Sequence, residues 1–514
     1  MKNQIIYLLS FVVIFSCTPK SKNIVSSVPI DDGKIEVVFL QVNDVYEISP
    51  LQNGQVGGMA RVANYRKDLL KKNPNTFLFH AGDFLNPSLL GTMKVDGERL
   101  RGKQMIEVMN AMNFDLVALG NHEFDLKEKD LQSRLNESTF QWSSANCLQV
   151  VCEDTYYPFY KERNGVKEFI PDTHIIEATD ADGTTIKIGF FSVTLDSNPK
   201  DYVKYKDVFV EAKRAYEYLE SRTDFVIGLT HLSKESDIEI AKLLPNVPLL
   251  MGGHEHYNML LNEGNTVITK ADANAKTVYV HTLMYDHNLK SLTLKSELVA
   301  ITPATGTDAE VQKIVAKWES VLNEKITEVV ANPKDVIYVA NTPLDGIDDH
   351  IRSRPTNLGV LIAKSISASF DNKVDGVFYN GGSVRIDDEI AGDITAVDVF
   401  RVLPFGGGSV KVKMTGKLFK ETLDFGLASI GKGSYLQLDN ISYDESKKGW
   451  VIGGHDLDVK SDYTIATTDF LLKGYDIPFL TKDNPEILEI IQPVTSDQQD
   501  IRNAVISYMK GTKQ

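Results

Sequence analysis

Asp44, Asp83, Asn121, His122, Asp125, His231, His254 and His256 offer the carboxylate, amide and imidazole donors that hold divalent cations, and each sits at the end of an apolar run. The runs are VVFLQVND (37–44), TFLFHAGD (76–83), DLVALGNHEFD (115–125), FVIGLTH (225–231) and VPLLMGGHEH (247–256). Two cations a few ångström apart need a shared carboxylate flanked by hard oxygen and imidazole donors. Asp83 suits the shared position, with Asp44 and His256 on one metal and Asn121, His231 and His254 on the other. Taken singly, an Asp after a strand is usually a helix cap and a His a satisfied polar contact. The coincidence of all the runs favours a metal site. Gly82, Gly120 and Gly252-Gly253 precede donors, which suits a backbone turning sharply off a strand.

The elements that position these donors follow from the same runs. Strands of a buried parallel sheet read as continuous apolar stretches, and ligands collect beyond their carboxyl ends. From Ile35 to about Ala300 such runs alternate with helix-like segments at 60–72, 102–112 and 212–221, which predicts a layered α/β domain. Residues 175–194, with Asp182-Gly183 between apolar alternations, read as an added hairpin. Residues 308–330 form one amphipathic, charged pattern without Gly or Pro, expected to be a long solvated linker helix. After Pro333 a second region mixes a helix (357–369) with strands at 374–379, 409–414 and 463–467.

At 514 residues the chain exceeds what one core usually supports, and 42% hydrophobic with 24% charged residues is a globular composition. A net charge of −15 argues against a nucleic-acid polymer as partner but leaves room for a small anion held locally. Lys2, the apolar stretch 5–15 and Ser16-Cys17 read as an export signal too short to span a bilayer. Ile14-Phe15-Ser16-Cys17 resembles a bacterial lipobox, which implies lipidation of Cys17 and a membrane anchor in the cell envelope. Cys147 and Cys152 either clip a small loop as a disulfide or stay reduced. No protein partner is predicted.

Gly82-Asp83, GNHEFD (120–125), Thr230-His231 and GGHEH (252–256), in that order, resemble the metallophosphoesterase motif set. RPTNLG (354–359), NGGSVR (380–385) and LPFGGG (403–408) extend the resemblance to the 5′-nucleotidase family over nearly all of the mature chain. The resemblance implies a signal at 1–17, a polar tether at 18–34 and a four-layer α/β/β/α metallophosphoesterase domain at 35–305. A linker helix at 306–332 and an α+β 5′-nucleotidase C-terminal domain at 333–514 follow. It implies two divalent ions (Zn, Mn, Mg or Co) and attack on phosphorus by a metal-bound water. His122 would stabilise charge on the phosphate and Asp125 would orient that imidazole.

The sequence departs from the family at two places. Asp-x-His is expected at the first strand end, but the run reads Asp44-Val45-Tyr46. Tyr46 either ligates as phenolate or lines the pocket; the cost of deprotonating a phenol favours the second. In the second domain the resemblance implies that Arg354 and Arg385 hold phosphate and that Asn380 and Phe405 contact the nucleoside. The family's second aromatic and acid lie in a GGDGY-like run, whereas this chain has TTDFLLKGYDIPF (467–479), with Tyr475, Asp476 and Phe479 as candidates. The expected activity is hydrolysis of nucleoside 5′-monophosphates. UDP-sugars, 2′,3′-cyclic nucleotides or dinucleotides are the alternative substrates, and a non-catalytic nucleotide-binding relative is the second alternative.

Overall fold

The computed structural model describes residues 32–152, 155–197 and 199–512; Cys17 and the stretch expected to be an export signal lie outside them. The first domain is built on two six-stranded sheets packed face to face. In one, Lys34–Val42 lies between Thr76–His80 (parallel) and Thr277–Asp286 (antiparallel), and Leu116–Ala118 continues the parallel row beyond Thr76–His80. In the other, Thr185–Thr194, Phe225–His231 and Leu249–Gly252 run parallel side by side.

The face between the sheets is mostly apolar, which explains why these strands read as hydrophobic runs, and a polar patch in it is satisfied where Gln41 donates across to the Gly252 and Thr269 carbonyls. Phe39 meets Phe79 edge-on at 4.9 Å, and Phe79 stacks on Phe190 of the opposite sheet at 5.0 Å. Burying a phenylalanine is worth roughly 1.5–3 kcal/mol, so this aromatic layer strongly fixes one sheet against the other. Helices Met59–Lys72 and Lys103–Met112 cover the outer face of the first sheet, and Val208–Glu220 and Lys234–Leu243 that of the second. The layers are therefore α/β/β/α. The hairpin forms as Thr173–Thr179 paired with Thr185–Thr194.

The second domain centres on a five-stranded sheet in the order Leu436–Asp439, Gly376–Asn380, Asp462–Thr468, Ser409–Thr415, Ile487–Ile491. Helices Asn357–Ser369 and Ile501–Gly511 pack on one face and Gly416–Ala428 on the other. Between the domains runs helix Ala309–Thr327, started by Asp308, whose carboxylate accepts from the backbone of Glu310 and Val311. It is not a solvated strut. Val311, Val315 and Trp318 are buried in the first domain's helical layer, and Ile326 in the second domain's core.

Of the two states open to the cysteine pair, the structure shows the reduced one. Cys147 and Cys152 are free and lie at the two ends of a single strand, Cys147–Cys152. Five residues of extended chain separate them by about 17 Å, far beyond the roughly 7 Å that a disulfide bridges.

Candidate metal centre

The parallel strands of the two sheets point their carboxyl ends at one spot. Asp44 follows Lys34–Val42, Asp83 follows Thr76–His80, and Asn121 and His122 follow Leu116–Ala118. His231 closes Phe225–His231, while His254 and His256 follow Leu249–Gly252. Asp44, Asp83 and His254 all have positive φ (52°, 62° and 85°), a strained backbone that turns each side chain inward. Gly120 is required by contact. A Cβ there would stand 2.0 Å from Asp83 Oδ1.

One oxygen or nitrogen from each of Asp44, Asp83 and His231 lies within 4.8 Å of the others, all fully buried. His231 Nδ1 donates to the Ala81 carbonyl at 2.7 Å, which turns the Nε2 lone pair toward the cluster. That nitrogen is 3.1 Å from Asp83 Oδ2 and 3.0 Å from Asn121 Oδ1. Three lone-pair donors at such distances repel unless a proton or cation sits among them. Burial opposes the charged imidazole, but Asp83 outweighs it and holds His231 up at about 9. Asp44 Oδ2 accepts from the His254 backbone at 3.0 Å, whereas Asp44 Oδ1 is buried without a hydrogen-bond partner among the described residues. An orphaned carboxylate oxygen aimed at imidazoles is costly in a dry site, and a cation resolves it. His254 is pushed down to about 4 by burial and then by the charge of His231, so its ring is neutral and able to ligate. The donor set therefore fits divalent metal.

His122 opens a short 3-10 turn, and its Nδ1 pairs with Asp125 Oδ2 at 2.8 Å. Burial disfavours its charge, but the carboxylates of Asp83, Asp125 and Asp387 prevail and lift it well above the ordinary histidine value. Tyr46 is buried, and its hydroxyl donates to Asp83 Oδ2 at 3.3 Å and lies 3.2 Å from His256 Nε2. Burial and the neighbouring carboxylates push the phenol well above its usual range, so it stays protonated as a pocket wall in the metal-free site.

Two residues here had no role assigned from sequence. Glu123, inside GNHEFD, is fully buried, and its carboxylate accepts from the backbone N–H groups of Asp83, Phe84, Leu85 and Gly120 at 2.6–3.1 Å. It ties the loop of Asp83 to the loop of Asn121. The other is Asp387, whose carboxylate enters from the second domain and lies 3.4 Å from His256 Nε2 and 3.6 Å from His122 Nε2.

The second-domain candidates divide. Arg385 lies over the Phe405 ring at 5.8 Å, and Asn380 Nδ2 donates to Asp476 Oδ2 at 2.8 Å. Asp348 lies within electrostatic reach of Arg352, Asp387, His122 and Arg385. Its direct partner is Arg352, at 2.7 Å, not Arg354. Arg354 is largely exposed and pairs with Asp345 at 3.4 Å. Tyr475 is exposed beside Phe470, and the partly buried Phe479 packs edge-on against Phe425 at the margin of the apolar core.

The calcineurin-like phosphoesterase family matches residues 37–258, and the 5′-nucleotidase C-terminal domain matches residues 336–482. The chain belongs to the 5′-nucleotidase family. It is a hydrolase family by its named members. The human 5′-nucleotidase is 25% identical over 466 residues, covering 81% of this chain and 77% of that one. The protein UshA of Yersinia enterocolitica is 25% identical over 509 residues, covering 87% and 86%. The trifunctional nucleotide phosphoesterase YfkN of Bacillus subtilis is 25% identical over 496 residues; 87% of this chain spans only 32% of that longer protein. Among solved structures, a 5′-nucleotidase precursor from Thermus thermophilus shares the fold at a TM-score of 0.63 and 22% identity, covering 93% of this chain and 97% of that one. The sulfate thiohydrolase SoxB of Thermus thermophilus does so at 0.61 and 13%, covering 92% and 94%.

Proposed function

We propose that this chain is a dinuclear metal phosphohydrolase acting on nucleoside 5′-monophosphates, exported and lipid-anchored through Cys17. The observation that carries the reading is the buried cluster of Asp44, Asp83 and His231 beside His122, whose ring Asp125 holds at 2.8 Å. Asp44, Asp83, Asn121, His231, His254 and His256 are the residues that would hold two cations of the Zn, Mn, Mg or Co type. Such ions, when bound, supply Lewis-acid activation of water and neutralisation of phosphate charge.

The chain's own residues do the rest. Asp125 fixes the His122 ring through Nδ1, leaving Nε2–H to donate to a phosphate oxygen and to the departing 5′ oxygen as charge builds there. Arg385 offers a planar fork for the phosphate, with Arg352 the better-placed second cation than Arg354. Phe405 gives a face for the base, and the Asn380–Asp476 pair gives polar groups for the nucleoside. The printed names of the human and Bacillus subtilis relatives support a nucleotide substrate.

A panel of AMP, UMP, UDP-glucose, 2′,3′-cyclic AMP and NAD, each with added Mn, Mg, Co or Zn, tests the proposal. The expected result is highest kcat/KM for AMP or UMP. Preference for another panel member reassigns the substrate, and no hydrolysis with any metal leaves the non-catalytic alternative. Radiolabelled palmitate incorporation lost in Cys17→Ala tests the anchor. Among the described residues, no helix is long and apolar enough to cross a membrane.

A further inference from the structure

We infer that Asp387 is a metal ligand delivered by the second domain, completing the coordination that Tyr46 leaves short at the first strand end. This rests on the metal-centre reading above and adds to it a donor from outside the strand-end set.

The geometry around His256 carries the inference. Its Nε2 faces three oxygens at ligand-like spacing: Tyr46 OH at 3.2 Å, Asp387 Oδ2 at 3.4 Å and Asp44 Oδ1 at 3.5 Å. Asp44 Oδ1 accepts no hydrogen bond among the described residues, the His256 contact being its ion pair. The phenol is a poor ligand while protonated, whereas a carboxylate is a good one. Asp387 therefore brings the only second-domain carboxylate among the described residues in contact with both His122 and His256.

Its position is held from several sides. The Asp387 carbonyl accepts from His256 Nδ1, so the segment grips the same imidazole through both its backbone and its side chain. Asp387 Oδ1 accepts from the Asp348 backbone at 2.8 Å, which leaves Oδ2 directed at the imidazoles. The adjacent Asp388 pairs with Lys276 at 2.7 Å and accepts from Asn274 Nδ2 at 3.1 Å. Asn274 in turn accepts from the backbone of Tyr46 and Glu47 at 3.1 Å, so one residue braces both the Asp44–Glu47 loop and the incoming strand of the second domain. A surface carboxylate would not be held in this way.

Two consequences follow. A carboxylate in place of an imidazole adds a negative charge and a hard donor, shifting that site toward Mn and Mg relative to Zn. Because the ligand belongs to the other domain, metal affinity and domain closure are linked, each raising the other by the same factor.

Titration of the metal-free full-length protein with Mn²⁺ alone, followed by calorimetry and metal analysis, tests this without relying on turnover. The wild type is expected to bind two ions. Asp387→Asn, which keeps the shape and removes the charge, is expected to keep one and to lose more than about tenfold in affinity for the other. Tyr46→His in the Asp387→Asn background is expected to restore the weakened site by supplying an imidazole from the first domain. On the wild type, Mn²⁺ is expected to slow backbone hydrogen exchange across residues 386–388, a reading that needs no variant to fold. Two ions bound by Asp387→Asn with unchanged affinity overturn the inference alone; if KM for AMP also falls, Asp387 stands where the phosphate binds. Unchanged exchange at 386–388 in a wild type that binds two ions overturns it as well. A wild type that binds no Mn²⁺, Mg²⁺, Co²⁺ or Zn²⁺ overturns the metal-centre reading and this inference together.

Discussion

The two halves of the site are made differently. Asp44, Asp83 and His231 are 0–1% exposed and held by backbone groups, whereas Phe405 and Tyr475 in the second domain are 55% and 76% exposed. The first group sits at the ends of strands locked by an aromatic layer; the second sits on turns whose side chains touch few neighbours. A half whose atoms are already in place contributes to the chemical step, because nothing must reorganise as charge develops. A half that orders around its ligand contributes to binding and gives up part of that gain as lost side-chain freedom. The deep half should therefore govern kcat and the shallow half KM.

That division can be broken by mutation, starting with the largest effect. His122→Ala should lower kcat by about 10³-fold while bound metal is unchanged; turnover within a few fold of wild type would refute a role in charge stabilisation. Glu123→Gln should come next. An amide cannot accept from four N–H groups with both its heavy atoms, so the loops of Asp83 and Asn121 loosen, with a stability loss of about 3 kcal/mol read by denaturant melting. Its metal affinity should fall with it, and a melt like the wild type's would show the clamp to be dispensable. Phe405→Ala should raise KM for AMP by about tenfold at nearly constant kcat, the size expected for one lost stacking contact. An equal loss in kcat would erase the distinction between the halves. The smallest effect is expected from Arg354→Ala, under about twofold in KM, against about tenfold or more for Arg352→Ala beside Asp348.

Most of the deep half was legible because apolar runs that stop on donors are visible without knowing any contact. Asp44, Asp83, Asn121, His122, His231, His254 and His256 come together where the strand ends meet. Glu123 was in plain view but unreadable, since its role is to satisfy N–H groups that only the folded loops bring side by side. Asp387 was hidden for a different reason. It follows a turn in the second domain, and nothing in its local sequence says which surface of the first domain it meets. Arg352 caps the short helix Asp348–Ile351 and Arg354 lies in the turn beyond it, so choosing between them needs the folded path of that turn. The cysteine pair was undecidable for a similar reason: two nearby thiols are compatible with a bridge until the strand that separates them is known. The interdomain helix had a readable period, but not the fact that its one apolar stripe seats in the first domain and ends in the core of the second.

That helix sets the mechanics of the molecule. Nineteen residues of helix form a bar about 28 Å long, and with Val311, Val315 and Trp318 seated in the first domain it cannot flex in the middle without tearing out its own anchors. Any swing of the second domain must use the stretch after Thr327 as its pivot, with Ile326 as the last tooth to disengage. Across from that bar the second domain is also fastened by the Arg401–Glu47 contact at 3.3 Å and the Lys276–Asp388 contact, so the two domains are tied together at the helix and at these two ion pairs.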